Sequence, residues 1–296
     1  VYALTTFEGD LVVGGEFINS GGPSGVQCRY IARWNGSAWT TFGAGMNWPV
    51  HALAVQTGEL IAGGTFTTAG GQVALGIARW QGTSWASMDH GVSGGGVYAL
   101  TAYTGQLIAG GQFTFAGGTP QSRIARWDGS HWNPLGSGVS GPVRALAVFN
   151  NELIVGGEFA SAGGIPCGNI ARWNGLRWQP IGDGFPDSVL ALAVYNGELI
   201  AGGSFESAVG GACNRVARWD GIAWQPLATG LDGTVRSLAV FEGELIAGGD
   251  FLHAGGVECR RIARWNGSTW APLGIGISGS NTSVAALKLY KTRLAV

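Results

Sequence analysis

Apolar and polar residues alternate in short runs along the whole chain, and the runs stop at glycine pairs or at Asn-Gly and Asp-Gly turns. That is the period of a pleated strand, whose side chains point to opposite faces in turn; no segment shows the 3.6-residue period of a helix. Residues 189–234 serve as the worked case. Val189-Leu-Ala-Leu-Ala-Val-Tyr195 predicts a first strand, and Asn196-Gly197 a hairpin turn, because both residues tolerate positive φ. Glu198-Leu-Ile-Ala-Gly-Gly-Ser-Phe205 predicts a second strand. A loop with Gly210, Gly211 and Cys213 leads to a third, Arg215-Val-Ala-Arg-Trp219, and Asp220-Gly221 turns the chain into a fourth, Trp224-Gln-Pro-Leu227.

The same four pieces recur. A Val-x-(Ala/Ser)-Leu start stands at Val1, Val50, Val97, Val143, Val189, Val235 and Val284, spaced by 46–49 residues. Each third strand ends in a tryptophan (Trp34, Trp80, Trp127, Trp173, Trp219 and Trp265), and a second follows five residues later (Trp39, Trp85, Trp132, Trp178, Trp224 and Trp270). Period-2 alternation puts both on one face of a hairpin. Glycine pairs such as Gly63-Gly64 and Gly202-Gly203 end the second strands, where backbone or a bulge can come close. Pro134, Pro180, Pro226 and Pro272 cannot donate to a ladder, so the fourth strand is expected at the sheet edge.

Four antiparallel strands per 46–49 residues match one blade of a β-propeller, so the fold class is all-β, a propeller of four-stranded antiparallel blades. Residues 1–283 give six repeats (1–49, 50–96, 97–142, 143–188, 189–234 and 235–283). Residues 284–296 start a further repeat or supply closing or linking strands. Six blades are favoured and seven are the alternative.

The glycine pair followed by an aromatic, with Trp a few residues on, resembles the kelch-type propeller, with Trp where kelch usually has Tyr. The pattern is most similar to the GGxF…AGG…IARWDGxxW kelch-like repeats of bacterial secreted and surface proteins; related repeats occur in fungal cell-polarity surface markers. The resemblance covers residues 1–283 and implies a propeller fold, while propellers host many activities.

Composition narrows the functional classes. Charged residues are 12% and the net charge is −1, with 17 basic and 18 acidic side chains, so there is no electrostatic footprint for nucleic acid. No apolar run approaches the ~18 residues that membrane insertion needs. The chain begins with Val1 rather than Met and is taken as a processed protein or a segment of a longer one. Its two lysines, Lys288 and Lys291, both lie in the tail.

Candidate chemistry is sparse. Cys28, Cys167, Cys213 and Cys259 share one phase, five residues before the repeated arginine, without zinc-ligand spacing. A small buried residue at a repeat-specific slot is the favoured reading; a disulfide within or between molecules is the other. The arginines Arg33, Arg79, Arg126, Arg172, Arg218 and Arg264 read as framework, each expected to bond loop carbonyls or to stack on an aromatic of the next blade. The twelve paired tryptophans are expected to fill the wedge between blades. Trp48, alone in an irregular connector, is the one tryptophan expected at the surface; incidental packing is the favoured reading and an interface anchor the other. The histidines, His51, His90, His131 and His253, fall at four different phases, and no metal, cofactor or catalytic set is expected. Asn35, Asn266 and Asn281 head glycosylation sequons, two of them the repeat's own turns.

The expected function is a non-enzymatic, extracellular or cell-surface propeller with a structural or adhesive role, possible as one unit of a larger surface protein or fibre. Its partners would be other protein domains or copies of itself. A lectin-like propeller that binds carbohydrate or protein through loops on one face is the alternative.

Overall fold

A computed structural model describes residues 1–21, 25–208, 211–279 and 282–296, so Gly210 and Asn281 lie outside the described residues. The described residues form strands and turns without a helix. Six four-stranded antiparallel sheets follow one another, each in the spatial order first, second, third, fourth strand. The chain divides into two compact units: Val1–Gly138 with Tyr290–Ala295, and Val139–Leu289 with Val296. Three blades lie in each.

Blade 5 shows why the sequence folds this way. Val189–Tyr195 pairs with Glu198–Gly203 across a turn whose Asn196 and Gly197 take φ of 50° and 78°. Both central residues are left-handed, as the primed turns that suit twisted strands require. The second strand is buried from Leu199 to Gly203, and Leu199 faces Trp219 across the next ladder. Trp219 in turn faces Trp224 at the turn end of the hairpin formed by the third and fourth strands.

Two expectations shift by a few residues. The second strand stops at Gly203 rather than Phe205, and the third begins at Val216 rather than Arg215. The cause is local: Asn214 and Arg215 sit at φ 34° and 71°, and the Arg215 carbonyl accepts the Gly203 N–H at 2.9 Å, closing the strand pair. The prolines do lie on the terminal strand of their sheets, Pro226 opposite Ala217 for example.

Neighbouring blades of one unit are locked at the glycine pair. A Cβ on Gly14 would stand 2.6 Å from Val50 Cγ1, and Gly63, Gly156 and Gly202 receive Val97, Val189 and Val235 at the same 2.6 Å. The first glycine is thus a socket for the first valine of the following blade. Around these sockets lie the cores, one of them joining Val216, Val235, Phe251 and Trp270.

Candidate functional site

The paired tryptophans pack against each other within their own blade as tilted or edge-on rings, with interplanar angles of 48–61° and centroids 5.2–5.4 Å apart in all six. In four blades the second of the pair also reaches the preceding blade of its own unit. The indole N–H groups of Trp85, Trp132, Trp224 and Trp270 donate to the carbonyls of Phe42, Met88, Ile181 and Leu227, at 3.0–3.1 Å. Each acceptor stands three residues beyond the earlier blade's own second tryptophan. A large aromatic with one polar handle is suited to such a place, since a buried N–H without a partner is costly.

The repeated arginines find partners other than those expected. Arg79, Arg172, Arg218 and Arg264 donate to Glu59, Glu152, Glu198 and Glu244, the first residue of their own blade's second strand, at 2.6–3.5 Å. Arg33 pairs with Asp10 and Glu8. Carboxylates within the blade, rather than loop carbonyls or the next blade's aromatics, hold these guanidinium groups. In blade 3 Gln106 stands where the carboxylate would be, and Arg126 is exposed. Most of these pairs are partly solvated, so each contributes about 0–1 kcal/mol.

All four cysteines are buried and free. Burial raises their thiol pKa values, that of Cys167 to about 11. At the same phase blade 2 has Ala74 and blade 3 has Gln121, both also buried. Asn35 and Asn266 each accept two turn N–H groups through Oδ1, at 2.9 Å.

Between second and third strands every blade carries a small hairpin that the sequence reading leaves as loop. Thr68–Ala69 pairs with Gln72–Val73 in blade 2, Ser161–Ala162 with Ile165–Pro166 in blade 4, and His253–Ala254 with Val257–Glu258 in blade 6. The hairpins are braced from two sides. A left-handed turn glycine lies against the blade's second tryptophan, as Gly163 lies on Trp178. A connector from the preceding blade caps the other side: Asn47 Oδ1 accepts the N–H groups of Thr67 and Thr68, and Asp232 Oδ1 those of Leu252 and His253. The outer strand of the hairpin is exposed in all six blades.

This end of the first unit gathers exposed aromatic and apolar side chains. Trp48 adjoins the capping Asn47 and is 58% exposed, and Val73, on the hairpin that Asn47 caps, is 72% exposed. At the starts of the first strands of blades 1 to 3, Tyr2, His51 and Tyr98 form a row: Tyr2 stacks on His51 at 5.0 Å, and Tyr98 meets His51 edge-on at 5.3 Å. The position is the variable x of Val-x-(Ala/Ser)-Leu, whose shared phase was the available signal for this row. In the second unit the same phase carries Arg144 and Arg236, paired with Glu158 and Asp250.

The opposite end of the second unit holds a pocket of about 300 Å³ between blades 4 and 5, lined by Phe149, Arg172, Glu198, Trp219 and Asp220 among others. The Asp220 carboxyl lies below the usual carboxylate range because the N–H groups of Ala223 and Ile222 donate to it. Among the described residues, no group of three or more His, Cys, Asp or Glu side chains could hold a metal ion, and no helix is long and apolar enough to cross a membrane.

Six such blades make this a β-propeller. The family described as the Rax2 C-terminal β-propeller domain matches residues 1–150, just over half of the 296-residue chain, and the chain belongs to that family. Among solved structures, the WD40 β-propeller domain of Doa1 is similar with a TM-score of 0.62 and 12% identity, over 97% of this chain and 85% of that one. The computationally designed Ika8 protein is similar with a TM-score of 0.53 and 16% identity, over 99% of this chain and 91% of that one. At these identities the likeness is one of fold. No curated protein matches the chain.

Proposed function

We propose that the chain is a non-enzymatic, extracellular propeller module with a structural or adhesive role, which joins other proteins and copies of itself through its connector end. The kelch-like character of the repeats and their kinship to secreted and surface proteins belong to the same proposal. The observation that carries it is the exposed set Trp48, Val73 and Tyr2, continued by the half-buried rings of His51 and Tyr98, on connectors, hairpins and strand starts of one end. Rigid aromatic and apolar side chains at a surface are what protein interfaces use as anchors. The repeated Trp, Arg and Gly positions, by contrast, are engaged within and between blades, which supports a scaffold role for them.

Sedimentation velocity over a range of concentrations tests the proposal. Self-association that Trp48→Ala with Val73→Asp abolishes, at unchanged Tm, supports it; a monomer at every concentration contradicts it. Antibody labelling of intact cells tests the extracellular placement, and signal only after permeabilisation contradicts it.

The pocket beside Trp219 favours a second function, carbohydrate binding, since an indole, a guanidinium and carboxylates together suit a sugar's apolar face and hydroxyls. Glycan-array binding lost in Arg172→Ala would select that function instead.

A further inference from the structure

Two pockets of the second unit have the same walls. The pocket between blades 4 and 5, of about 300 Å³, is lined by Phe149, Asn150, Glu152, Arg172 and Trp219 among others. Another, of about 410 Å³, lies between blades 5 and 6 and is lined by Tyr195, Asn196, Glu198, Arg218 and Trp265 among others. Each of these five stands one repeat, 46 residues, after its counterpart in the first pocket. Both volumes fall in the range that holds small organic ligands.

The two pockets also adjoin. Glu198 lines both, because the turn end of blade 5 forms a wall of each. A ligand in either pocket therefore meets that carboxylate, and one long enough can occupy both. Glu152 accepts from Arg172 Nη1 at 3.2 Å, and Glu198 from Arg218 Nη1 at 2.6 Å. These pairs hold the guanidinium groups in place and leave donors over, since the two arginine side chains are 43% and 40% exposed. Trp219 is half-buried, so part of its indole is open to the first pocket. In the second, Tyr195 adds a hydroxyl where blade 4 has Phe149, 3.8 Å from the position of a Cβ on the lining Gly267.

In the first unit the same phases are engaged otherwise. Blade 2 has Gln56 where blades 4 and 5 have Phe149 and Tyr195, and its Nε2 donates to the carbonyl of Gly105, in the turn of blade 3, at 2.8 Å. Blade 1 has Glu8 where they have Asn150 and Asn196. There Glu8 and Asp10 both hold Arg33, at 3.1 and 2.6 Å, and the guanidinium lies over the Phe7 ring. An aromatic followed by asparagine at this turn occurs in blades 4 and 5 alone.

We infer that these pockets are tandem subsites for one neutral oligosaccharide, which places a ring in each with Glu198 between them. The inference rests on the carbohydrate reading of the pocket beside Trp219, and adds to it the second pocket and the uncharged class of ligand. Indole and phenol rings suit the apolar face of a sugar. Arginine and asparagine donate and glutamate accepts, which matches hydroxyls that do both. The ligand is uncharged because three carboxylates, Glu152, Glu198 and Asp220, stand with two guanidinium groups, each already held by one of them. An acidic sugar would meet net negative charge there.

The test titrates the full chain by calorimetry with laminarihexaose, cellohexaose, chitohexaose and mannohexaose, with their disaccharides, and with hexagalacturonate. One neutral hexasaccharide should bind at one per chain, about 100-fold tighter than its disaccharide, as two linked sites do. Arg172→Ala and Arg218→Ala, each with an unchanged near-ultraviolet spectrum, should weaken it about ten-fold, and hexagalacturonate should not bind. Tyr195→Phe, which installs the residue blade 4 has at this phase, should weaken it about five-fold and reads the second pocket even if Arg218→Ala fails to fold. Full affinity in the second-pocket variants, or two disaccharides per chain with no gain for the hexasaccharide, would overturn the tandem site and leave carbohydrate binding at the first pocket standing. Preference for hexagalacturonate would overturn the uncharged class. No binding of any of these sugars would overturn the carbohydrate reading itself, and the tandem site with it.

Discussion

Val50 occupies the space that a side chain on Gly14 would need: its Cγ1 stands 2.6 Å from the position of a Cβ there. The contact recurs between blades of the same unit at Gly63, Gly156 and Gly202, so the glycine pair acts as a joint between blades as well as a strand end. Gly202 carries no positive φ, which leaves steric fit as the reason for glycine. Gly202→Ala should therefore destabilise by about 1–3 kcal/mol through overpacking. Denaturant unfolding of Gly202→Ala, Val235→Ala and the double variant checks this. In the double variant the alanine should cost less than it does alone, and strict additivity would remove the socket.

The indole of Trp224 contributes both bulk and one directed bond to Ile181. Trp224→Ala should cost about 3–5 kcal/mol, as large buried aromatics do. Trp224→Phe keeps most of the bulk but leaves the Ile181 carbonyl unpaired, an expected loss of about 1–3 kcal/mol. Equal stability of Trp224→Phe and the unmodified chain would show that the bond between blades contributes nothing.

Burial shields the four thiols and raises their pKa values, so little thiolate exists at neutral pH. A thiol reagent such as DTNB should react slowly with the native chain and release four equivalents once it is unfolded. Rapid native reaction, or fewer than four equivalents on unfolding without reductant, would favour the disulfide reading.

Acid should loosen the connector end. Burial pushes the Asp232 carboxyl up, but the backbone N–H and ring of His253 and the N–H of Leu252 pull it further down, and its pKa lies below the ordinary value. Asp250 is likewise below, with burial opposed by Arg236. A depressed folded-state pKa means that the stabilisation is present above the unfolded value of about 3.9 and is lost as pH falls through the folded one. Tm should therefore fall as pH drops below about 4, less steeply in Asp232→Asn. An identical acid slope in the variant would contradict the assignment.

The strands were legible because glycine pairs, Asn-Gly turns and tryptophans five apart mark their ends within a few residues of sequence. The small hairpins were not: two residues per strand, such as Thr68–Ala69, are too few to show alternation. The partners of the arginines were also hidden, since Glu198 lies twenty residues before Arg218 and only the register of the second and third strands brings them together. Trp48 drew notice because its connector breaks the repeat, and it stands exposed. The row of Tyr2, His51 and Tyr98 escaped because one phase carries different residue types, so it reads as variation until the blades are stacked.

The most direct test of the structural role is electron microscopy of native material, with and without reductant. Ordered chains or clusters of particles that persist in reductant are the predicted result, because the thiols are buried and the connector end is apolar and aromatic. Dispersed single particles in both conditions would contradict a structural role and turn attention to ligand binding at the pocket beside Trp219.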